Sequence, residues 1–167
     1  MSVSRFALDL SLPDDGRQSE IARSVCIGAR RLLGHLGFAS VTEVTLGSGR
    51  RADILALGPS GDVWIVEIKS SVADFRADRK WPDYRAFSDR FFFAVPADFP
   101  LAILPADAGL ILADSFGASL VREAPEHRLA GARRKSVTLL AAHEAARRLH
   151  ALADPQGARG LPDGFCE

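Results

Sequence analysis

The chain predicts an α/β domain with a central mixed β-sheet flanked by helices, and three observations carry that expectation. Apolar residues recur at helical spacing near both ends. Between them lie short runs rich in β-branched residues, each bounded by Gly, Pro, Ser or Asp. One run, Phe91 to Val95, is uniformly apolar and stops at Pro96, as a central strand covered on both faces should.

In chain order, Ile21, Val25, Ala29, Leu32 and Leu36 form the stripe of a first helix from about Asp15 to Leu36. Asp15 suits its N-cap, with Gln18 as capping-box partner, and Gly34 or Gly37 its end. Three strands follow, Ser40 to Leu46, Arg51 to Leu57 and Val63 to Lys69. Ser70 and Ser71 can cap a second helix running to Lys80, which Pro82 kinks or ends before helical spacing restarts at Asp83. After the Phe91 strand, a Pro/Ala/Asp-rich loop leads to a hairpin of Gly109 to Asp114 and Ala118 to Glu123. Ser136 to His150 closes the fold as an amphipathic helix. The expected organisation is an extension over 1–14, one domain over 15–153 and a disordered Gly/Pro-rich tail over 154–167.

At 167 residues the chain can bury roughly 70% of its unfolded surface around one core. With 21 basic and 21 acidic residues the net charge is zero, so any phosphate contact must come from local clusters. No signal peptide or membrane-spanning run is read, and a cytoplasmic location without membrane association is expected. Cys26 and Cys166 lie far apart and away from histidines at zinc spacing, which leaves disulfide frameworks and zinc ribbons unsupported. His143-Glu144 begins like a zincin helix, but Arg147 stands where the second histidine is needed. Gly47-Ser48-Gly49 lacks the Lys-Ser of a phosphate loop.

The second and third strands put three charges where a core hairpin should have none. A loop centred on Ser60 sets Asp53 across from Glu67, and alternation puts Lys69 on the face of Glu67 and Asp53. Opposed carboxylates in an apolar sheet repel and resist desolvation. A divalent cation removes both objections and leaves the Lys69 ammonium for chemistry.

Asp53, the hairpin and Glu67-Ile68-Lys69 resemble the core of the PD-(D/E)XK nuclease superfamily, the restriction-endonuclease-like three-layer fold. Ala52 stands where the superfamily name has Pro. The wider pattern, with Ser19-Glu20, Ser70-Ser71, Asp74-Phe75, Asp78, Lys80-Trp81, Asp83-Tyr84 and Ser88-Asp89-Arg90, is similar to the MmcB-like bacterial DNA repair family, over about 17–150. The resemblance implies DNA as substrate and repair proteins as partners. Many relatives of this fold pair to cut two strands, so a homodimer is an expectation too. On this reading Asp53, Glu67 and the Ile68 carbonyl hold Mg²⁺ or Mn²⁺, and Lys69 orients or deprotonates the attacking water. Glu20, at the helix position where the superfamily often carries an acid, is a further catalytic candidate. The alternative is a DNA-binding scaffold of a repair complex that keeps the fold without turnover.

Other residues carry a plainer reading beside the functional one. Lys80, Tyr84, Arg85 and Arg90 could line a DNA groove and Trp81 could stack on a base, or Trp81 could anchor the core. Glu20 alone is also what a helix start favours. Asp74 and Asp78 are expected on a solvated face beside Arg79 or Lys80. The basic segment with Arg122, His127, Arg128, Arg133, Arg134 and Lys135 could follow a phosphate backbone, although such runs are usually only solvated.

Overall fold

The structure is a computed structural model and describes residues 19–157. Helix α1 (Glu20–His35) precedes strands β1 (Ala39–Thr45), β2 (Arg51–Leu57) and β3 (Val63–Ile68). A short helix α2 (Val72–Ala77) and a 3-10 helix (Trp81–Phe87) lead to β4 (Arg90–Val95). Then come β5 (Gly109–Ala113), β6 (Ala118–Arg122) and helix α3 (Gly131–Ala153).

The six strands lie side by side in chain order. Outer pairs β1/β2, β2/β3 and β5/β6 are antiparallel, whereas β3/β4 and β4/β5 are parallel. The sheet is mixed, as expected, and β4 is its interior parallel strand. Its residues divide between two cores: Phe91, Phe93 and Val95 pack with Tyr84, Phe87, Val137 and Ala141, while Phe92 and Ala94 pack with Val25, Ala29 and Leu33. Three layers result, α1 on one face and α3 with the 3-10 helix on the other. Burying side chains such as Val25, Leu33 and Val137 contributes about 1.5–3 kcal/mol each.

Several boundaries differ from expectation. Helix α1 begins at Glu20 with Ser19 as its N-cap, whose side chain accepts the Ala22 N–H at 3.2 Å; Asp15 and Gln18 lie outside the described residues, as do 1–14 and 158–167. The second helix ends at Ala77 rather than Lys80, because Asp78 leaves helical geometry (φ −91°, ψ 93°) and turns its carboxylate elsewhere. Pro82 sits inside the first turn of the 3-10 helix, where its missing N–H costs nothing, so the segment starts at Trp81 and not Asp83. Helix α3 starts five residues before Ser136 without a side-chain cap, anchored instead by Arg134.

The β2/β3 hairpin takes the predicted register, from Leu57↔Val63 to Ile54↔Val66, with Gly61 at φ +87° making the turn. One step further, regular pairing stops. Strict alternation also breaks there, since Ala52 and Leu55 pack into the same core although they are three positions apart, an odd step that alternation would put on opposite faces. Opposite, Glu43 has φ +53° inside β1, flanked by the pairs Thr42↔Ile54 and Val44↔Ala52. A non-glycine residue in that region is strained and persists only when its surroundings hold it. Arg148 of α3 does so, donating to the Thr42 carbonyl (2.6 Å) and the Glu43 carbonyl (3.2 Å), with Glu144 gripping the same guanidinium (2.8 Å).

Candidate functional site

Where the ladder stops, side chains take over its hydrogen bonds. The Ile68 N–H donates to Asp53 Oδ2 at 2.8 Å, and the Asp53 N–H donates to Glu67 Oε1 at 3.2 Å. Each carboxylate thus keeps one oxygen for another partner. Lys69 follows on β3, its Nζ 3.8 Å from Glu67 Oε2. Glu67 and Lys69 are buried, at 4% and 5% exposure, which is unusual for charged residues and demands a compensating partner.

Electrostatics makes the same point. Burial first, then the neighbouring Asp53 charge, push the Glu67 carboxyl up to about 9. Burial also lifts Asp53 to about 6, against the lowering effect of the Ile68 N–H. Lys69 is instead held above its ordinary value: burial favours its neutral form, but Asp78 and Glu67 outweigh it. Tyr84, whose hydroxyl donates to the Arg51 carbonyl at 2.9 Å, is pushed upward by burial and by the Glu67 and Asp53 charges.

Asp78 is the residue the sequence reading misplaced. It lies on no solvated face beside Arg79 or Lys80: its Oδ2 meets Lys69 Nζ at 2.7 Å and its Oδ1 accepts the Lys80 N–H at 3.0 Å. Asp74 likewise turns inward to the Ser70 N–H (3.1 Å). Nothing in a nine-residue separation between Lys69 and Asp78 announces the pair. Glu43 was missed as well, although the β1/β2 register, centred on Ser48, sets it opposite Asp53. Its carboxylate meets Arg51 at 2.6 Å and its charge reinforces the upward shift of Asp53.

The structure brings Asp53, Glu67, Ile68 and Lys69 together, and among the described residues no hydrogen bond or ion pair joins Glu20 to them. Glu20 is exposed and lines a pocket with Ser24, Pro96, Asp98 and Asp114, and Asp53, Glu67 and Lys69 do not line it. Among the described residues no three His, Cys, Asp or Glu side chains form a metal-binding group. Any metal at Asp53 and Glu67 therefore has two protein carboxylates, with backbone, water or substrate oxygens completing its shell. Two carboxylates of this kind are hard oxygen donors of the type Mg²⁺ takes while keeping several waters.

Of the DNA-binding candidates, Lys80 is exposed near the site. Tyr84 is buried beneath it. Arg85 is drawn to Asp107 at 2.7 Å and lies over the Trp81 ring. Arg90 occupies the other end of the sheet, since Trp64 pairs with Arg90 and Ile68 with Ala94, and it holds Glu126 and the Ala124 carbonyl. Trp81 takes the core reading, stacked on Phe91 at 5.4 Å. Within the basic segment, Arg134 grips Asp89 through both nitrogens (2.6 and 2.7 Å) and Arg122 binds the Ala108 and Pro105 carbonyls. Among the described residues, no helix is long and apolar enough to cross a membrane.

No curated protein matches the chain. A solved structure, a protein of unknown function from Silicibacter pomeroyi, is similar at 44% identity and a TM-score of 0.80, over 90% of this chain and 99% of that one. Residues 11–156 match the family model described as DNA repair protein MmcB-like. With nearly the whole domain matched, the chain belongs to the MmcB-like family of DNA repair proteins.

Proposed function

We propose that the protein is a metal-dependent deoxyribonuclease of DNA repair, with a site of the PD-(D/E)XK type. The observation that carries this reading is the interlock of Asp53 and Glu67 beside Lys69: Glu67 accepts the Asp53 N–H, Asp53 accepts the Ile68 N–H, and each carboxylate has its second oxygen outside these two bonds. Membership of a DNA repair family supports DNA as the substrate.

Asp53 and Glu67 would hold Mg²⁺ or Mn²⁺, with the Ile68 carbonyl as a further donor. The metal would supply a nucleophilic water at neutral pH and neutralise the scissile phosphate. Lys69, charged through its contact with Asp78, acts as a cation that orients the water and counters negative charge developing on the phosphoryl oxygens. A charged ammonium has no lone pair, so deprotonation by Lys69 is the weaker of its two expected roles. Tyr84 and the 3-10 helix fix the floor on which the carboxylates rest.

One observation favours the alternative of a non-cleaving DNA-binding scaffold: Lys69 Nζ is committed to Asp78 at 2.7 Å and stands off Glu67 by 3.8 Å. Incubating the protein with supercoiled, single-stranded and branched DNA separates the two. The nuclease reading expects cleavage in Mg²⁺ or Mn²⁺ that EDTA and Glu67→Ala both abolish. Cleavage indifferent to both would overturn the metal mechanism, and tight binding with no cleavage would establish the scaffold.

A further inference from the structure

Most cations around the sheet are occupied: Arg50, Arg85, Arg90, Arg122, Arg134 and Arg148 each hold a carboxylate or a backbone carbonyl. The stretch after Lys69 is different. Arg76, Arg79 and Lys80 are exposed, and their side chains make no hydrogen bond or ion pair among the described residues. The acids that should neutralise them face the other way, Asp74 toward the Ser70 N–H and Asp78 toward Lys69. One short segment thus presents carboxylates inward to the site and three unpaired cations outward beside it.

We infer that Arg76, Arg79 and Lys80 form a docking rail for the backbone phosphates of a nucleic acid, leading the strand across Lys69. The inference rests on the nuclease or DNA-binding reading of the site and names the surface that reading leaves open. A backbone of four residue steps reaches at most about 14 Å, and a DNA strand carries one charge per roughly 3.4 Å of axis. The rail can therefore meet several consecutive phosphates. A polyanion suits it better than an apolar partner, because the three heads are solvated cations with no hydrophobic patch between them. Ser71 caps α2 and the Asp78 contacts tie its far end, so the cations are presented on a braced segment.

The test is salt-dependent binding of a fluorescent DNA duplex by the full chain, read by anisotropy without metal. Replacing Arg76, Arg79 and Lys80 together with Ala should lower the log K against log salt slope by about 0.9 per lost contact and weaken binding at low salt by about tenfold or more. Arg31→Ala, an exposed cation of α1 on the other face of the sheet, should leave the slope at its wild-type value. Circular dichroism melts check that the triple variant stays folded. A triple variant with wild-type slope and affinity overturns the rail while the DNA reading stands. A wild-type chain with no salt-dependent affinity for DNA removes the reading beneath it.

Discussion

Lys69 Nζ lies 2.7 Å from Asp78 Oδ2 but 3.8 Å from Glu67 Oε2, so the cation of the Glu-x-Lys strand is held from the following loop and not by its strand neighbour. This explains why α2 stops early. Continuing the helix through Asp78 would carry the carboxylate away from the ammonium.

Asp78→Asn keeps the shape but removes the charge that holds Lys69. Charged hydrogen bonds contribute about 1.5–3 kcal/mol, so turnover should fall by about 10- to 100-fold. Metal affinity, which the proposed mechanism assigns to Asp53 and Glu67, should change little. Steady-state cleavage kinetics beside Mn²⁺ titration reads both, and an unaltered rate would show that Asp78 does not position Lys69.

Glu67 and Asp53 make the metal-free protein pH-sensitive. Their folded values, about 9 and about 6, stand above the ordinary 4.5 and 3.8, so the folded chain binds protons more tightly than the unfolded one. That contribution is complete below about pH 4 and is lost as pH rises toward 9. Thermal melts in EDTA should show Tm falling across this window, and Glu67→Gln should flatten the fall. A metal bound as proposed would displace the same protons, so apparent Mn²⁺ affinity should rise with pH between about 6 and 9.

Removing a proposed metal ligand separates binding from folding. Asp53→Asn should abolish stabilisation by Mn²⁺ while leaving the sheet intact, because the amide oxygen can still accept the Ile68 N–H. Differential scanning fluorimetry with and without 5-fold changes in metal concentration checks it, and a retained metal-dependent shift would place the ion elsewhere.

The kink opposite Asp53 can be tested by a paired substitution. Arg148→Ala removes the donors to the Thr42 and Glu43 carbonyls and should cost about 2 kcal/mol. Adding Glu43→Gly, which accepts the positive φ freely, should recover about 1 kcal/mol of it despite losing the Arg51 pair. Urea unfolding of the single and double variants gives the coupling.

Asp89 anchors the other end of the sheet, accepting from Val63, Leu129 and both Arg134 nitrogens. Asp89→Ala strands these donors and should cost about 3–5 kcal/mol. Arg134 and the two backbone N–H groups hold its carboxyl below the usual range against burial, so this contribution is present above about pH 4 and fades as pH falls through the lowered value. Chemical denaturation at pH 7 and at pH 3 compares the two.

Strand identity, the β2/β3 register and the convergence of Asp53 with Glu67 were legible because hydrophobic period and turn chemistry are local. The Ser60-centred loop sets which residues meet whatever the rest of the chain does. Less was legible wherever a side chain is claimed by a distant partner. Trp81 and Arg85 belong to the 3-10 helix and its packing, Arg90 to the far end of the sheet, and the start of α3 to a bond from Arg134 to Asp89. Glu20 has the right residue type on the right helix, yet α1 packs on the opposite face of the sheet from the Lys69–Asp78 pair.

By itself the sequence determined a mixed α/β sheet and two carboxylates meeting beside a lysine, since both follow from backbone period and from a short hairpin's register. Only the tertiary structure decided which partner holds that lysine, where strain at Glu43 breaks the ladder, and which cations remain unpaired. Those outcomes depend on charges and carbonyls brought together across tens of residues, where burial makes each buried charge find a partner and leaves the sequence no local mark of which one it finds.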